Sequence, residues 1–296
     1  MKELVIVSGK GGTGKTSLTA AFSCLAGRHI LCDADVDAAD LHLLLAPEVK
    51  KRHDFMGGGK AVIDPERCSR CGQCRDLCRF EAIDGEFAVD PFACEGCGVC
   101  VYLCPVGAID FPIRKCGEWF VSDTRMGTMV HARLGIAEEN SGKLVSCIRR
   151  EARRLAEEQE LETIITDGPP GIGCPVIAAI GGATALILVV EPTVSGLHDM
   201  ARLVDLARHF RVPCLLCINK FDLNLEMTRR LEDEARERKM QLVGLVPFDP
   251  LFTEAMIAAQ SVIEYRQDSQ IAEAIRDIWH NIVASPVMNS YGIRMM

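Results

Sequence analysis

The glycine-rich segment 9–16 constrains the fold of this chain more than any other part of its sequence. It reads Gly-Lys-Gly-Gly-Thr-Gly-Lys-Thr, follows an apolar strand predicted at residues 4–8 and opens a helix predicted at residues 15–26. This is the G-x4-G-K-[ST] pattern in the strand–loop–helix context that it requires. The backbone amides of such a loop converge on phosphate oxygens, and the helix N-terminus adds partial positive charge. The segment therefore predicts an α/β phosphate-binding domain in which Lys15 contacts the β- and γ-phosphates and Thr16 binds Mg²⁺.

The rest of the chain continues the alternation of strands and helices. Further strands are predicted at 30–33, 163–166, 185–190, 213–218 and 241–246, and further helices at 141–159, 196–210 and 226–239. This alternation favours a doubly wound, mostly parallel sheet. The polar, glycine-rich stretch 47–60 is interpreted as a linker.

Cysteine is unusually frequent, with 15 residues in a chain of 296, and eight of them form an internal repeat. Each copy reads C-x2-C-x2-C-x3-C, follows Asp-Pro and precedes Ala-Ile-Asp, and the two copies are offset by 26 residues. The apolar start of the chain leaves no room for a signal peptide before Gly9, so we expect a cytoplasmic protein with reduced thiols. Reduced, closely spaced cysteines indicate a metal site.

The repeat resembles bacterial ferredoxins that carry two clusters, and its second copy ends in Cys104-Pro105 as theirs do. The resemblance implies two [4Fe–4S] clusters, one held by Cys68, Cys71, Cys74 and Cys104 and the other by Cys94, Cys97, Cys100 and Cys78. A structural zinc site and a disulfide framework are the alternatives, although zinc sites pair their cysteines two by two. Arg79 stands where that family often has proline, and a nearby cation could raise the potential of that cluster. Residues 61–111 are thus predicted to be a small α+β ferredoxin domain inserted between two parts of an ATPase domain, residues 1–60 and 112–296.

The extra lysine of the glycine-rich loop, Lys10, makes that loop resemble the deviant Walker A motif of the MinD/ParA/Mrp family. In that family this lysine reaches the phosphates of the opposite subunit, which implies ATP-driven dimerisation here. The segment Asp33-Ala34-Asp35 is similar to switch I, where Asp35 would position the attacking water and Asp33 would help to hold Mg²⁺. Asp167 followed by Gly168 resembles Walker B and switch II, with the Gly168 amide sensing the γ-phosphate.

The resemblance assigns catalysis to Lys10, Lys15 and Asp35, and Mg²⁺ to Thr16, Asp33 and Asp167. It assigns nucleotide contacts to Gly11, Gly12, Thr13, Gly14, Lys15, Thr16, Ser17, Gly168, Asn219 and Pro247. The segment Asn219-Lys220-Phe221-Asp222 also matches N-K-x-D, the guanine-reading motif of GTPases. In MinD-like proteins the asparagine contacts adenine instead, with help from a segment like 246–249. The Lys10 loop favours ATP, and GTP remains the alternative.

Cysteines outside the repeat carry weaker signals. Cys214 and Cys217 form a C-x2-C pair, but residues three apart on a strand point to opposite faces, which favours a core position over a metal site. Cys174 follows the nucleotide-sensing turn, and a redox or cluster-relay role is considered for it. The other four cysteines are interpreted as small core or surface residues.

Charge and hydropathy bear on the partners. The formal net charge of −8 gives no general attraction to nucleic acid or to an anionic membrane, and we expect neither as a partner. Residues 168–190 carry no charge, but their prolines and glycines favour a turn, a short helix and a buried strand over a membrane span. An apolar stripe at helical spacing near the C-terminus favours docking on the chain's own sheet over a membrane anchor. Its residues are Ile271, Ala274, Ile275, Ile278, Trp279 and Ile282.

Three functional hypotheses follow. The first is an ATPase in which dimerisation, as a homodimer or as a heterodimer with a paralogue, is coupled to electron transfer to a redox or metal-cluster protein, or to its regulation. The second is a MinD-like switch that recruits a partner and uses the clusters as a sensor. The third is an iron–sulfur cluster carrier of the Mrp type, and the buried position expected for Cys214 and Cys217 counts against it.

Overall fold

A computed structural model describes residues 1–135 and 141–289 of the chain. The described residues form two compact units. The first comprises Met1–Arg52, Trp119–Arg133 and the residues from Ser141 onward, and the second comprises His53–Glu118 with Leu134 and Gly135.

Nine of the strands in the described residues form one sheet. The strands of the chain are β1 (Lys2–Ser8), β2 (Ile30–Asp33), β3 (Glu48–Gly59), β4 (Val62–Ile63), β5 (Ile109–Asp110), β6 (Ile113–Thr124), β7 (Gly127–Leu134), β8 (Thr163–Pro170), β9 (Ala185–Val190), β10 (Cys214–Asn219) and β11 (Gln241–Val246). The order in the sheet is β11-β10-β9-β1-β8-β2-β7-β6-β3, and every pairing from β11 to β7 is parallel.

Helices follow most of the parallel strands. They are α1 (Lys15–Leu25), α2 (Leu41–Leu45), α3 (Gln73–Asp76), α4 (Val99–Leu103), α5 (Ser141–Glu158), α6 (Cys174–Ile180), α7 (Val194–His209), α8 (Leu225–Glu237), α9 (Leu251–Ile257), α10 (Val262–Tyr265), α11 (Gln270–Ala284) and α12 (Pro286–Asn289). Within the described ranges, none of these helices has both the length and the apolar character needed to cross a membrane. The strand–helix alternation confirms the predicted mostly parallel α/β sheet.

The central strands form the core of the first unit. All six residues of β9 are buried, as expected of a parallel strand that is covered on both faces. The stretch 168–190 thus contains the end of β8, helix α6 and this buried strand. Ile271, Ile275 and Ile278 of α11 belong to the same core, and Trp279 stacks on Phe22 with ring centroids 5.7 Å apart. The apolar stripe near the C-terminus therefore packs inside the protein's own fold, as predicted.

The interpretation of residues 47–60 as a linker is wrong. These residues form β3, a strand of 12 residues at the edge of the sheet. Its first seven residues are exposed, and Lys50 pairs with Glu48 at 2.6 Å. Edge strands carry charged residues that oppose pairing with other chains, so β3 lacks the apolar alternation that identifies a half-buried strand.

Candidate functional site

The glycine-rich loop joins β1 to α1 at the carboxyl edge of the sheet. Gly12 and Gly14 have φ angles of +78° and +84°, a left-handed region that glycine enters without strain. A Cβ atom on Gly14 would lie 2.4 Å from Nδ2 of Asn219. The backbone therefore favours glycine at positions 12 and 14, and the close approach of Asn219 adds a second reason for glycine at position 14.

Asn219 at the end of β10 and the next residue, Lys220, hydrogen-bond to this loop. Nδ2 of Asn219 donates to the Thr13 carbonyl at 2.7 Å, and its Oδ1 accepts from the Lys220 amide at 3.0 Å. Nζ of Lys220 donates to the Gly12 carbonyl at 3.1 Å. The predicted base-contacting residue Asn219 thus lies directly against the loop.

Asp167 lies at the centre of the site. Its Oδ1 is 2.8 Å from Nζ of Lys15, and its Oδ2 accepts from the Thr16 hydroxyl at 2.7 Å. Thr19, which the sequence did not single out, also donates to Oδ1 at 3.0 Å. Because β1 pairs with β8, and β8 with β2, Asp167 lies beside the loop and next to Asp33. The sheet order therefore brings together the residues predicted to bind Mg²⁺.

The segment 33–35 contributes two more carboxyl groups. Oδ2 of Asp35 is 3.5 Å from Nζ of Lys15. Oδ1 of Asp33 accepts from the Asp35 amide at 3.2 Å, and its Oδ2 accepts from the Leu41 amide at 3.3 Å. Three carboxyl groups thus surround one ammonium group.

This crowding of acids shifts the pKa values. Burial, and then repulsion from Asp167, raise the pKa of Asp33 well above its usual range. Burial raises the pKa of Asp35 as well, against the attraction of Lys15. Burial disfavours the charged form of Lys15, but Asp167 and Asp35 outweigh it and raise the lysine's pKa. Oxygen ligands with this excess of negative charge suit Mg²⁺.

Further features of the loop and of the neighbouring strand β8 fit a phosphate ligand. Oγ1 of Thr13 is buried, and it has no hydrogen-bond partner among the residues that the structure describes. Gly11 has open space where a Cβ would point. Gly168 is packed so closely against β1 that a Cβ would lie 2.7 Å from the Ile6 carbonyl oxygen. The buried Thr13 hydroxyl in particular would gain a partner from a bound phosphate.

A cavity with about 580 Å³ of free space opens beside the loop. It brings together Ser17, Asn219 and Pro247, three predicted nucleotide contacts, and its full lining is Gly14, Ser17, Asn219, Lys220, Pro247, Phe248, Asp249, Phe252, Thr253 and Met256. Asp222 does not line it. Oδ1 of Asp222 instead accepts from the Phe248 amide at 2.7 Å. The aspartate of the N-K-x-D segment therefore positions the backbone of the cavity wall.

Lys10 extends from the loop toward the start of α7. Its Nζ lies 3.5 Å from Oε2 of Glu191, 3.4 Å from Oγ1 of Thr193 and 3.5 Å from Oγ of Ser195. Its side chain is 38% exposed. Glu191 was not singled out from the sequence. It directly follows the buried strand 185–190, a place that predicts a position at the carboxyl edge of the sheet.

The second unit repeats its own hydrogen bonds with an offset of 26 residues. The Asp64 amide donates to the Ala108 carbonyl at 2.9 Å, and the Asp90 amide donates to the Ala82 carbonyl at 2.8 Å. Each bond joins the start of one copy to the end of the other. In the same way β4 pairs with β5 through Ile63 and Ile109, while Ile83 bridges to Val89. The start of each copy thus pairs with the end of the other copy, so the unit has an internal two-fold repeat.

This pairing of the two copies places a cysteine of the second copy beside cysteines of the first. One small cavity has Cys68, Cys71, Cys74 and Cys104 in its lining. Burial raises the pKa of Cys74, with added repulsion from Cys68 and Cys71, and burial with repulsion from Cys94 and Cys97 raises that of Cys100. In each predicted set, two cysteines are thus near enough to a third to disfavour its thiolate form.

Backbone amides point at several of these sulfur atoms. The amide of Ala82 donates to Sγ of Cys78 at 3.4 Å, and the amide of Ala108 donates to Sγ of Cys104 at 3.3 Å. Across residues 1–135 and 141–289, no three His, Cys, Asp or Glu side chains converge closely enough to hold a single metal ion.

The late cysteine pair lies on strand β10. Cys217 is fully buried and Cys214 is partly buried, and burial raises the pKa of each thiol to about 12. The predicted core position is thus confirmed for Cys217. Cys174 is exposed at the start of α6, and the Cα of Gly142 packs against it.

Comparison with known proteins agrees with this site. A sequence profile of the CobQ/CobB/MinD/ParA nucleotide-binding domain matches residues 4–262. The uncharacterized protein MJ0578 of Methanocaldococcus jannaschii is 30% identical over 283 residues, which cover 95% of this chain and 96% of that protein.

Solved structures share the fold. The septum site-determining protein MinD of Pyrococcus horikoshii, solved with Mg-ADP, superposes with a TM-score of 0.59 at 17% identity and covers 99% of each chain. MinD in the MinC:MinD complex of Aquifex aeolicus gives a TM-score of 0.58 at 19% identity, with 96% of this chain and 97% of that chain covered. With the profile matching most of its length, the chain belongs to the CobQ/CobB/MinD/ParA family of nucleotide-binding domains.

Proposed function

We propose that this protein is a Mg-ATP-dependent ATPase that dimerises on binding ATP and carries two [4Fe–4S] clusters in its cysteine repeat. ATP binding would then be coupled to electron transfer to a partner protein, or to that partner's regulation. The observation that carries the cluster part of the proposal is the cavity whose lining combines Cys68, Cys71 and Cys74 with Cys104 of the other copy.

The nucleotide part rests on the geometry around Asp167. Lys15 would exchange its contact with Asp167 for the β- and γ-phosphates, and Thr16 would ligate Mg²⁺ together with Asp33 and Asp167, directly or through water. Asp35 would position the attacking water. Because phosphoryl transfer depends mainly on positioning and charge neutralisation, this set is sufficient for slow hydrolysis. The Mg-ADP named for the Pyrococcus horikoshii MinD structure supports the same ligand here.

ATP is favoured over GTP by Asp222. In an N-K-x-D site the aspartate must offer its carboxylate to the guanine base. Here an oxygen of Asp222 accepts from the Phe248 amide, and the residue does not line the cavity beside the loop. The cavity is instead bordered by Pro247 and Phe248, which suit the flat face of adenine.

The donor set of each cysteine group fits a cluster better than a single ion. Thiolates are the soft ligands that iron–sulfur clusters require, and N–H groups aimed at the sulfur atoms tune such centres. A cubane of four irons and four sulfides is larger than one ion, so its thiolates stay further apart than zinc ligands do. When bound, each cluster would supply a one-electron redox centre. The cysteine side chains would hold it through their sulfur atoms.

Loading of the cysteine sets tests the cluster part. The full chain is prepared anaerobically, reconstituted with iron and sulfide, and analysed for metals. We expect about eight iron atoms and eight acid-labile sulfides per chain, and about four of each in Cys104→Ala, because one set loses its fourth ligand. Cys147→Ala, a cysteine of α5 outside the repeat, is the matched control and should load fully. Stoichiometric zinc with no sulfide would overturn this part of the proposal.

Hydrolysis tests the nucleotide part. Wild-type protein should release phosphate slowly from ATP in the presence of Mg²⁺, and Lys15→Ala should abolish this release. Light scattering should show a dimer with Mg-ATP and a monomer without it. A chain that stays monomeric with saturating ATP would contradict ATP-driven dimerisation while leaving the cluster assignment intact.

A further inference from the structure

The two cysteine copies share their backbone but differ in charge. Residue by residue, Arg67 of the first copy corresponds to Ala93 of the second. The acids around these positions are repeated, because Asp64 and Asp110 correspond to Asp90 and Asp84. Each site combines an aspartate from each copy: Asp64 and Asp110 flank Arg67, whereas Asp90 and Asp84 are the aspartates that correspond to them around Ala93.

Arg67 is held firmly in place by neighbours from both copies. Its Nε donates to Oδ2 of Asp64 at 2.7 Å, its Nη2 donates to Oδ2 of Asp110 at 2.8 Å, and its Nη1 donates to the Gly107 carbonyl at 3.0 Å. Contacts of this kind use the planar donor fork of arginine and fix its orientation. The guanidinium charge therefore has a defined position.

That position lies on the side of the first cysteine set. Arg67 directly precedes Cys68, and its contact at Gly107 lies three residues after Cys104. The fixed guanidinium charge therefore contacts the chain next to both Cys68 and Cys104 of the first set.

We propose that Arg67 makes the two cluster sites unequal, so that the site of Cys68, Cys71, Cys74 and Cys104 accepts an electron more readily than the site of Cys94, Cys97, Cys100 and Cys78. This inference rests on the proposed function. Adding one electron makes a cluster with four thiolates more negative, and a nearby cation stabilises that state by Coulomb attraction. No bond forms or breaks in the transfer: one electron leaves the second site, which is oxidised, and enters the first, which is reduced.

Arg79 provides the competing charge, since it follows Cys78 of the second set. Arg79 is exposed, and water and salt weaken the field of an exposed charge. Arg67 is exposed as well, with 45% of its side chain accessible, but three hydrogen bonds fix its position. We therefore expect Arg67 to determine the order of the two potentials.

Potentiometric titration of the reconstituted full chain, followed by EPR, tests this inference. A one-electron reductant such as dithionite supplies the electrons. The wild type should show two midpoints, with at least a tenfold preference of the first electron for one site, which corresponds to about 59 mV for a one-electron couple. Arg67→Ala should lower the higher midpoint and leave the lower one in place. Ala93→Arg should raise the lower midpoint.

Arg67→Lys is the matched control. It keeps the positive charge but loses the forked contacts with Asp64 and Asp110, so it should preserve most of the difference between the midpoints. If Arg67→Lys lowers the midpoint as much as Arg67→Ala, the contacts and not the charge are responsible and the inference is wrong. Equal midpoints in a wild type that carries about eight irons would also overturn it. A chain that binds no iron would overturn the proposed function itself.

Discussion

Nζ of Lys10 lies 3.5 Å from the carboxylate of Glu191 in its own chain. The same carboxylate contacts Lys220 at 2.5 Å, and Lys220 in turn holds the Gly12 carbonyl. Glu191 thus connects the lysine proposed to act across the dimer with the glycine-rich loop. For Lys10 to reach a second subunit, its contact with Glu191 must break.

Glu191→Gln removes the charge from this contact while preserving its size. Because the pair is partly exposed, its loss should free Lys10 at a gain of about 0.5–1 kcal/mol. We expect the Mg-ATP-dependent dimer to tighten by about two- to fivefold in sedimentation equilibrium. Lys10→Ala, which lacks the cation altogether, should not dimerise. A weaker dimer in Glu191→Gln would mean that the carboxylate supports association.

The contact between Asp222 and Phe248 predicts the choice of base. In competition binding, ATP should bind at least tenfold more tightly than GTP. Asp222→Ala should weaken both nucleotides to a similar degree, because the cavity wall loses its anchor and not its base contact. A variant that loses GTP binding alone would show that Asp222 reads the base.

Gly14→Ala should be strongly destabilising even without nucleotide. The new methyl group would meet Asn219 at 2.4 Å on a backbone with φ of +84°, and the left-handed conformation alone costs about 1–2 kcal/mol for a residue with a Cβ. Gly11→Ala is the matched control in the same loop, since it has open space and no positive φ. Urea unfolding should separate the two variants by at least about 1 kcal/mol. Equal midpoints would contradict the packing described for Asn219.

The raised pKa of Asp33 makes Mg²⁺ binding depend on pH. A carboxyl group whose pKa is higher in the folded than in the unfolded protein stabilises the fold while it is protonated. This contribution is complete below the unfolded pKa of about 3.9, and it is lost as the pH rises through the folded pKa. Mg²⁺ requires the carboxylate and therefore displaces the proton. We expect Mg²⁺ affinity to rise with pH across this window and binding to release protons.

Calorimetry in buffers of different ionisation enthalpy measures that release. Asp33→Asn should reduce it, and Asp37→Asn, an exposed carboxylate in the same switch segment, should leave it unchanged. Release that persists in full in Asp33→Asn would assign the proton to another group.

Local sequence indicated much of this site, because the glycine-rich loop and Asp33 lie at strand ends and Asp167 directly follows the predicted strand 163–166. The resemblance to ferredoxins implied the grouping of Cys104 with the first set, and these cysteines do line one cavity. The partners of Lys10 and Asp222 were not predictable, since they depend on the order of strands in the sheet. The edge strand β3 was missed because exposure removes the apolar pattern by which strands are identified.

Nucleotide binding and the two clusters are proposed to be coupled. The most direct measurement is the EPR spectrum and midpoint potential of the reduced, fully loaded protein with and without Mg-ATP, with Lys15→Ala as the variant that cannot respond. Coupling predicts a shift of at least one midpoint on ATP binding in the wild type and no shift in Lys15→Ala. Identical spectra and potentials in the presence of bound Mg-ATP would contradict it.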